Sequence, residues 1–291
     1  MAPGTIPNNS EMFNLFMDAS KIFRGRYQEP SIGKYKIEDP MDAAIMFLGY
    51  AFQHAGTNPS YPPAAAEAIK RSKGSEGSED FPLTVLANFS DLLDHKKLNL
   101  KLNPLFHKCW KCCPDLTQTN ACNCIWCVLK RDGIDNIVLK SVKDIKGGQT
   151  RDAWEQLKKI RGVKNKIASF FLRDIAISNN LTPTNERWLL QPIDIWVRRI
   201  VQSLNDDPKM GDEEIAKWIV KTCEDNCINP EQCNQGIWYF GAKIAESDFI
   251  LQKSLCDVDY ARKILKEHLE VLKALASINL SNGSMDSNGA C

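Results

Sequence analysis

No apolar run in these 291 residues approaches the roughly 18 needed to span a membrane. The opening MAPGTIPNNSEMFNLF has no basic stretch followed by an apolar one, so no secretory leader is expected. No segment alternates apolar and polar residues over a useful length, which removes the signal for a sheet. No internal repeat stands out, which excludes a solenoid. Net charge is scarce as well: 37 Lys and Arg stand against 36 Asp and Glu, a formal +1. With 43% hydrophobic and 25% charged residues, the composition is that of a folded globular chain. Its length suits two domains or one large one.

The near-zero total hides a split. Residues 96–173 hold 17 Lys and Arg but 6 Asp and Glu, a local balance of +11, and the flanks together carry −10. A basic face is what phosphate binding needs, although a solvated charged surface would have the same composition. Cysteine is abundant, with 11 residues. Without a leader, that number suggests thiols or metal ligands rather than a disulfide framework. Six of them fall close together: Cys109, Cys112, Cys113, Cys122, Cys124 and Cys127. The pairs Cys109/Cys112 and Cys124/Cys127 are two C-x-x-C knuckles 11 residues apart. Such a pair can close a tetrahedral zinc site, with an iron–sulfur cluster as the runner-up and a redox-active loop as the metal-free alternative. The site would be structural, with Cys113 and Cys122 as spare ligands.

Apolar periodicity predicts an all-α chain. Residues 1–40 are expected to form a loose arm holding at most one helix, around Met12, Phe13, Phe16 and Met17. A core is expected over 41–277, with a cysteine-rich insertion at about 104–130 and a helical hairpin at 151–177. Further helices are predicted at 41–55, 81–95, from Asp194 onward, at 212–224, at 230–246 and at 257–276. Thr150 is the expected cap of the first hairpin helix, and Asn229 with Pro230 opens the helix at 230. Residues 278–291 are expected to be disordered.

The segment Leu157-Lys-Lys-Ile-Arg-Gly162-Val-Lys-Asn-Lys166-Ile-Ala168 ends one helix and starts the next at once. Gly162 permits a turn that bulkier residues resist. The unpaired N–H groups at the start of the second helix can hold a phosphate. Lys158, Lys159, Arg161 and Lys164 add positive charge, with Gly162 and Val163 at the close approach. An ordinary helical hairpin with a capping glycine is the plainer alternative.

Downstream stands Pro192-Ile193-Asp194-Ile-Trp-Val197-Arg-Arg199. With that second element the chain resembles the helix-hairpin-helix DNA glycosylase superfamily, which includes endonuclease III and the 8-oxoguanine glycosylases. That family shows L-x-x-I-x-G-[VI]-G-x-K-x-A followed by P-[VI]-D-x-x-V-x-R. Leu157, Ile160, Gly162, Val163, Lys166 and Ala168 match the first pattern. Pro192, Ile193, Asp194, Val197 and Arg199 match the second. The resemblance spans residues 150–205 by motif and about 40–275 by architecture. It departs at the second hairpin glycine, which is Lys164 here, and in the 28-residue spacing from Lys166 to Asp194.

The resemblance implies two helical lobes with the hairpin at a cleft and a duplex DNA partner carrying a damaged base. It also implies a monomeric, intracellular repair enzyme. The lysine at position 166 marks the branch that is both glycosylase and lyase. Its amine attacks C1′, expels the base, forms a Schiff base and allows β-elimination. Burial or neighbouring cations would keep the amine neutral. Asp194 would stabilise the oxocarbenium-like sugar, although a plain helix cap fits its position equally. An oxidised base is expected, with 8-oxoguanine as the first guess. Trp238 and Phe240 are candidates for the base pocket, although an aromatic stripe on a helix is more often core. Cys223, Cys227 and Cys233 lack the spacing of the iron–sulfur loop found in some members. A non-catalytic, metal-stabilised DNA-binding protein is the competing expectation.

Overall fold

The computed structural model describes residues 9–54 and 125–283, together with Asn123 and a few positions between 67 and 88. Every regular element among them is helical, and they contain no strand. Among the described residues the longer α-helices are α1 (Asn9–Phe23), α2 (Pro40–His54), α3 (Ile125–Arg131), α4 (Ile137–Lys146), α5 (Thr150–Lys158), α6 (Asn165–Ser178), α7 (Ile195–Leu204), α8 (Asp212–Asp225), α9 (Pro230–Tyr239), α10 (Asp248–Cys256) and α11 (Val258–Gly283), with a single helical turn at Glu29–Ile32. The chain divides into two compact units, residues 1–28 with 193–291, and residues 29–192.

In the first unit α1 is a core element. Met12, Phe13, Phe16 and Ala19 are fully buried, and removing each large side chain from water stabilises the unit by about 1.5–3 kcal/mol. Phe13 meets the ring of Trp218 on α8 edge-on at 5.6 Å, and Phe16 meets Phe240 at 5.7 Å. Gly236 on α9 explains how closely the backbones approach. A Cβ there would lie 1.7 Å from the carbonyl oxygen of Phe16, so no other residue fits without moving α1. A buried polar chain runs beside this contact. Ser20 Oγ donates to Gln235 Oε1, and Gln235 Nε2 donates to Gln28 Oε1, each at 2.9 Å. The segment expected to be a loose arm thus supplies α1 and the π-helical turn Arg24–Gln28 to a core that also holds α9.

The second unit packs α2 with α4, α5 and α6. Phe47 and Tyr50 of α2 set their rings edge-on to Phe171 of α6, at 5.0 and 5.7 Å. Tyr50 Oη donates to Asp174 Oδ2 at 2.9 Å, while Arg173, with no exposed surface, pairs with Asp174 Oδ1. Sharing that carboxylate keeps the buried guanidinium compensated. Asn136 caps α4, its side chain accepting from Val138 N and Leu139 N, and its Nδ2 donates to Ile37 O at 2.8 Å.

Several boundaries differ from the sequence expectation. Thr150 is the first residue of α5 rather than its cap. Gln149 takes that place without a capping side chain, and Thr150 Oγ1 is buried without a partner among the described residues. The predicted 257–276 helix runs on to Gly283, into the segment expected to be disordered, and α10 precedes it. The 230–246 helix is α9 followed by a π-helical turn over Phe240–Ala245.

Candidate nucleic-acid interface

The turn between α5 and α6 has the geometry that its residues suggest. Trp154 Nε1 donates to Ser169 Oγ at 3.0 Å in the buried seam, tying the two helices together. Ile160 and Val163 are buried on either side of the turn, and Val163 N bonds back to Ile160 O. Gly162 sits at φ +87°, a conformation that costs a side-chain-bearing residue energy. Lys164, extended at φ −110°, is the cap of α6 and offers no side-chain acceptor. Ala168 N is the first to bond back, to Lys164 O. The N–H groups of Asn165, Lys166 and Ile167 therefore stay without a partner among the described residues.

The basic residues around this turn fall into two groups. Lys158 pairs with Glu155 at 3.2 Å and lies 3.7 Å over the Trp154 ring. Lys159 pairs with Asp132 at 2.9 Å. The side chains of Arg161, Lys164 and Lys166 have no hydrogen-bond or ion-pair partner among the described residues. Arg161 is half-buried, and Lys164 and Lys166 are exposed. Three free cations thus stand within six residues of sequence at an uncapped helix N-terminus, the arrangement that attracts a phosphate. Lys166 is exposed, so the chain itself does not bury its amine.

Asp132 is a site residue that the sequence reading missed. Its carboxyl accepts from Gln156 Nε2 and Lys159 Nζ, and those hydrogen bonds hold its pKa down at about 2. A local Asp-Gly turn is the only sequence signal there, and it says nothing of α5. Asn123 was missed for a similar reason: its carbonyl accepts from Arg161 N at 2.6 Å.

Asp194 belongs to the other unit. It caps α7, with Oδ1 accepting from Trp196 N and Val197 N at 2.9 Å each. Oδ2 has no partner among the described residues. The carboxylate is half-buried, and the neighbouring Ile195 side chain is exposed. Arg198 and Arg199 are held by Asp212 and Asp248, at 2.7 and 2.6 Å.

Of the two pocket candidates, Phe240 is completely buried against Phe16 and is a core residue. Trp238 is half-buried and meets the ring of Phe23 edge-on at 5.3 Å. Beside it, Tyr239 Oη and His268 Nε2 lie 2.9 Å apart. Burial pushes the Tyr239 phenol up and the His268 imidazole down.

Cys109, Cys112 and Cys124 of the expected metal site lie outside the described residues, and Cys127 falls within α3. No group of three or more His, Cys, Asp or Glu able to hold a metal occurs among the described residues. Cys223 and Cys233 are buried free thiols, and burial together with Cys223 pushes the Cys233 thiol well up. Cys227 and Cys256 are exposed. No helix among the described residues is long and apolar enough to cross a membrane.

No protein-family model matches the chain, and no solved structure matches it. The chain is similar to an uncharacterized protein of Methanocaldococcus jannaschii, with 31% identity over 105 residues, or 35% of this chain. The match spans 24% of that relative's length.

Proposed function

We propose that the protein binds duplex DNA through the α5–α6 turn and acts on it as a helix-hairpin-helix DNA glycosylase and lyase. The observation that carries the reading is the uncapped start of α6 beside three unpaired cations, Arg161, Lys164 and Lys166, next to Gly162 at φ +87°. Backbone N–H groups take a phosphate without reading sequence, as a lesion-searching protein requires. Lys164, in place of the second hairpin glycine, adds a charge where the backbone would otherwise approach.

In this reading the Lys166 amine attacks C1′ of the damaged nucleotide and the base departs with the glycosidic electron pair. The resulting Schiff base allows β-elimination of the 3′ phosphate. Asp194 Oδ2, free of the helix cap, stabilises the positive sugar. The base leaves the stack to be read, and the half-exposed Trp238 is the aromatic suited to meet it. An oxidised purine, with 8-oxoguanine first, is the proposed lesion. The cleft expected from the family and a structural zinc held by Cys109, Cys112, Cys124 and Cys127 belong to the same proposal.

A second reading has a specific observation behind it. Lys166 is exposed and Asp194 already serves as a cap, which also suits a non-catalytic phosphate clamp. Borohydride reduction in the presence of a duplex carrying 8-oxoguanine separates the two. The enzyme yields a covalent protein–DNA adduct, lost in Lys166→Gln while duplex binding is kept. Binding without any adduct, on a panel of oxidised bases, leaves the clamp.

A further inference from the structure

We propose, independently of the DNA-binding reading, that the contact between His268 and Tyr239 is a pH-sensitive latch, and that protonating His268 releases the C-terminal half of α11 from the rest of its unit. Tyr239 closes α9 and His268 stands in the middle of α11, both in the unit formed by residues 1–28 and 193–291. Tyr239 Oη and His268 Nε2 lie 2.9 Å apart, and the two rings meet edge-on with centroids 5.7 Å apart. Beyond His268 the helix has few other anchors among the described residues. Leu272 is buried, its carbonyl oxygen accepts from Arg26 Nη1 at 3.1 Å, and Lys273 to Ser277 are exposed. By contrast, Val258 and Ala261 bury the start of the same helix.

Among the described residues, the imidazole faces Tyr239 of α9, Arg26 of the π-helical turn Arg24–Gln28 and Glu246, which follows the π-helical turn Phe240–Ala245. Tyr27 lies behind Tyr239, with ring centroids 6.1 Å apart. Burial sets the imidazole below its ordinary pKa; the Glu246 carboxylate opposes that shift and the Arg26 guanidinium adds to it. Neutral His268 offers the Nε2 lone pair to the phenol hydrogen, and burial keeps that hydrogen on Tyr239. An added proton takes the lone pair. The phenol hydrogen must then turn away, and a second cation stands half-buried beside Arg26, the other group that holds this half of the helix. A base whose folded pKa is depressed stabilises the closed form above its ordinary value of about 6.5, and that contribution is lost as pH falls from there toward the folded value. Opening the latch hydrates the imidazolium and separates it from Arg26.

The test follows backbone amide exchange of the full chain, expressed as protection factors, at about pH 7.5 and about pH 5.5. Protection over residues 268–277 should fall by roughly fivefold or more at the lower pH, while residues 258–265 and α9 stay protected. His268→Gln, whose amide oxygen can accept from Tyr239 but does not titrate, should show the same protection at both pH values. Tyr239→Phe, which keeps the buried ring, should loosen residues 268–277 already at the higher pH. The His268 imidazole, followed by NMR, should titrate below its ordinary value. Equal protection of the wild type at the two pH values overturns the proposal. So does a fall that His268→Gln shares, which assigns the opening to another group, and so does full wild-type protection at the higher pH in Tyr239→Phe.

Discussion

Lys159 Nζ lies 2.9 Å from Asp132 Oδ2, and this pair withdraws from the basic turn a charge that composition alone would assign to DNA. Lys158 is withdrawn in the same way by Glu155 and Trp154. In the proposed DNA-binding reading, phosphate neutralisation falls to Arg161, Lys164 and Lys166, which are unpaired among the described residues.

A salt titration of duplex binding should reveal this division. Each phosphate contact contributes a slope of about −0.9 to the logarithmic dependence of affinity on salt. Arg161→Ala and Lys164→Ala should each make the slope shallower by roughly one contact. Lys159→Ala, which removes an equal charge, should leave the slope where it was. Equal effects from all three would mean that net charge, not the turn, is what DNA senses.

Asp132 predicts a pH dependence. Hydrogen bonds from Gln156 and Lys159 place its carboxyl at about 2 in the folded chain, below the ordinary value of about 4. A depressed carboxylate stabilises the fold at every pH above its unfolded value, and the contribution fades as pH falls toward the folded one. The gap in melting temperature between wild type and Asp132→Asn should be constant above about pH 4 and close toward about pH 2. A gap that persists unchanged at pH 2 would assign the effect to packing.

Asp194 caps α7, and the proposed enzyme gives it a second role that substitutions can separate from the first. Asparagine caps a helix about as well as aspartate, whereas alanine costs about 1 kcal/mol. Asp194→Asn should therefore keep wild-type stability by denaturant titration while base release slows in single-turnover assays. Asp194→Ala should lose both. Full base release by Asp194→Asn would leave the residue a cap alone.

Two glycines should respond in opposite senses to alanine. A methyl at Gly236 would meet the Phe16 carbonyl, and such overpacking costs about 1–3 kcal/mol or more. At Gly49, within α2, nothing lies within 4 Å, so the better helix former should stabilise by up to about 1 kcal/mol. Urea midpoints that move in the same direction would contradict the α1–α9 contact.

Much of this was legible locally. Periodicity identified α2, α5 to α9 and α11 but not α10, Asn229 and Asp194 cap as their residue types suggest, and Gly162 adopts the positive φ that its turn needs. What escaped depends on distant partners. Met12, Phe13 and Phe16 read as a small cluster in a loose arm because the surface they bury against, α8 and α9, lies some two hundred residues away. Gly236 carries no local signal of its role, because nothing near it in sequence says that the backbone of α1 passes it. Lys159 looked free because Asp132 reaches it from another segment, whereas the partners of Lys158, Glu155 and Trp154, stand within one turn of its own helix.

The Ser20–Gln235 hydrogen bond has a further consequence during synthesis. The two residues are 215 positions apart and belong to one unit. At about 5–20 residues per second, a ribosome separates their appearance by roughly 10–40 s. Residues 29–192 can complete their own core within that interval, while α1 waits with Phe13 and Phe16 uncovered for α9 to emerge. Any factor that shields nascent apolar helices should therefore act first on the earliest part of this chain, which is among the last parts to find its partner.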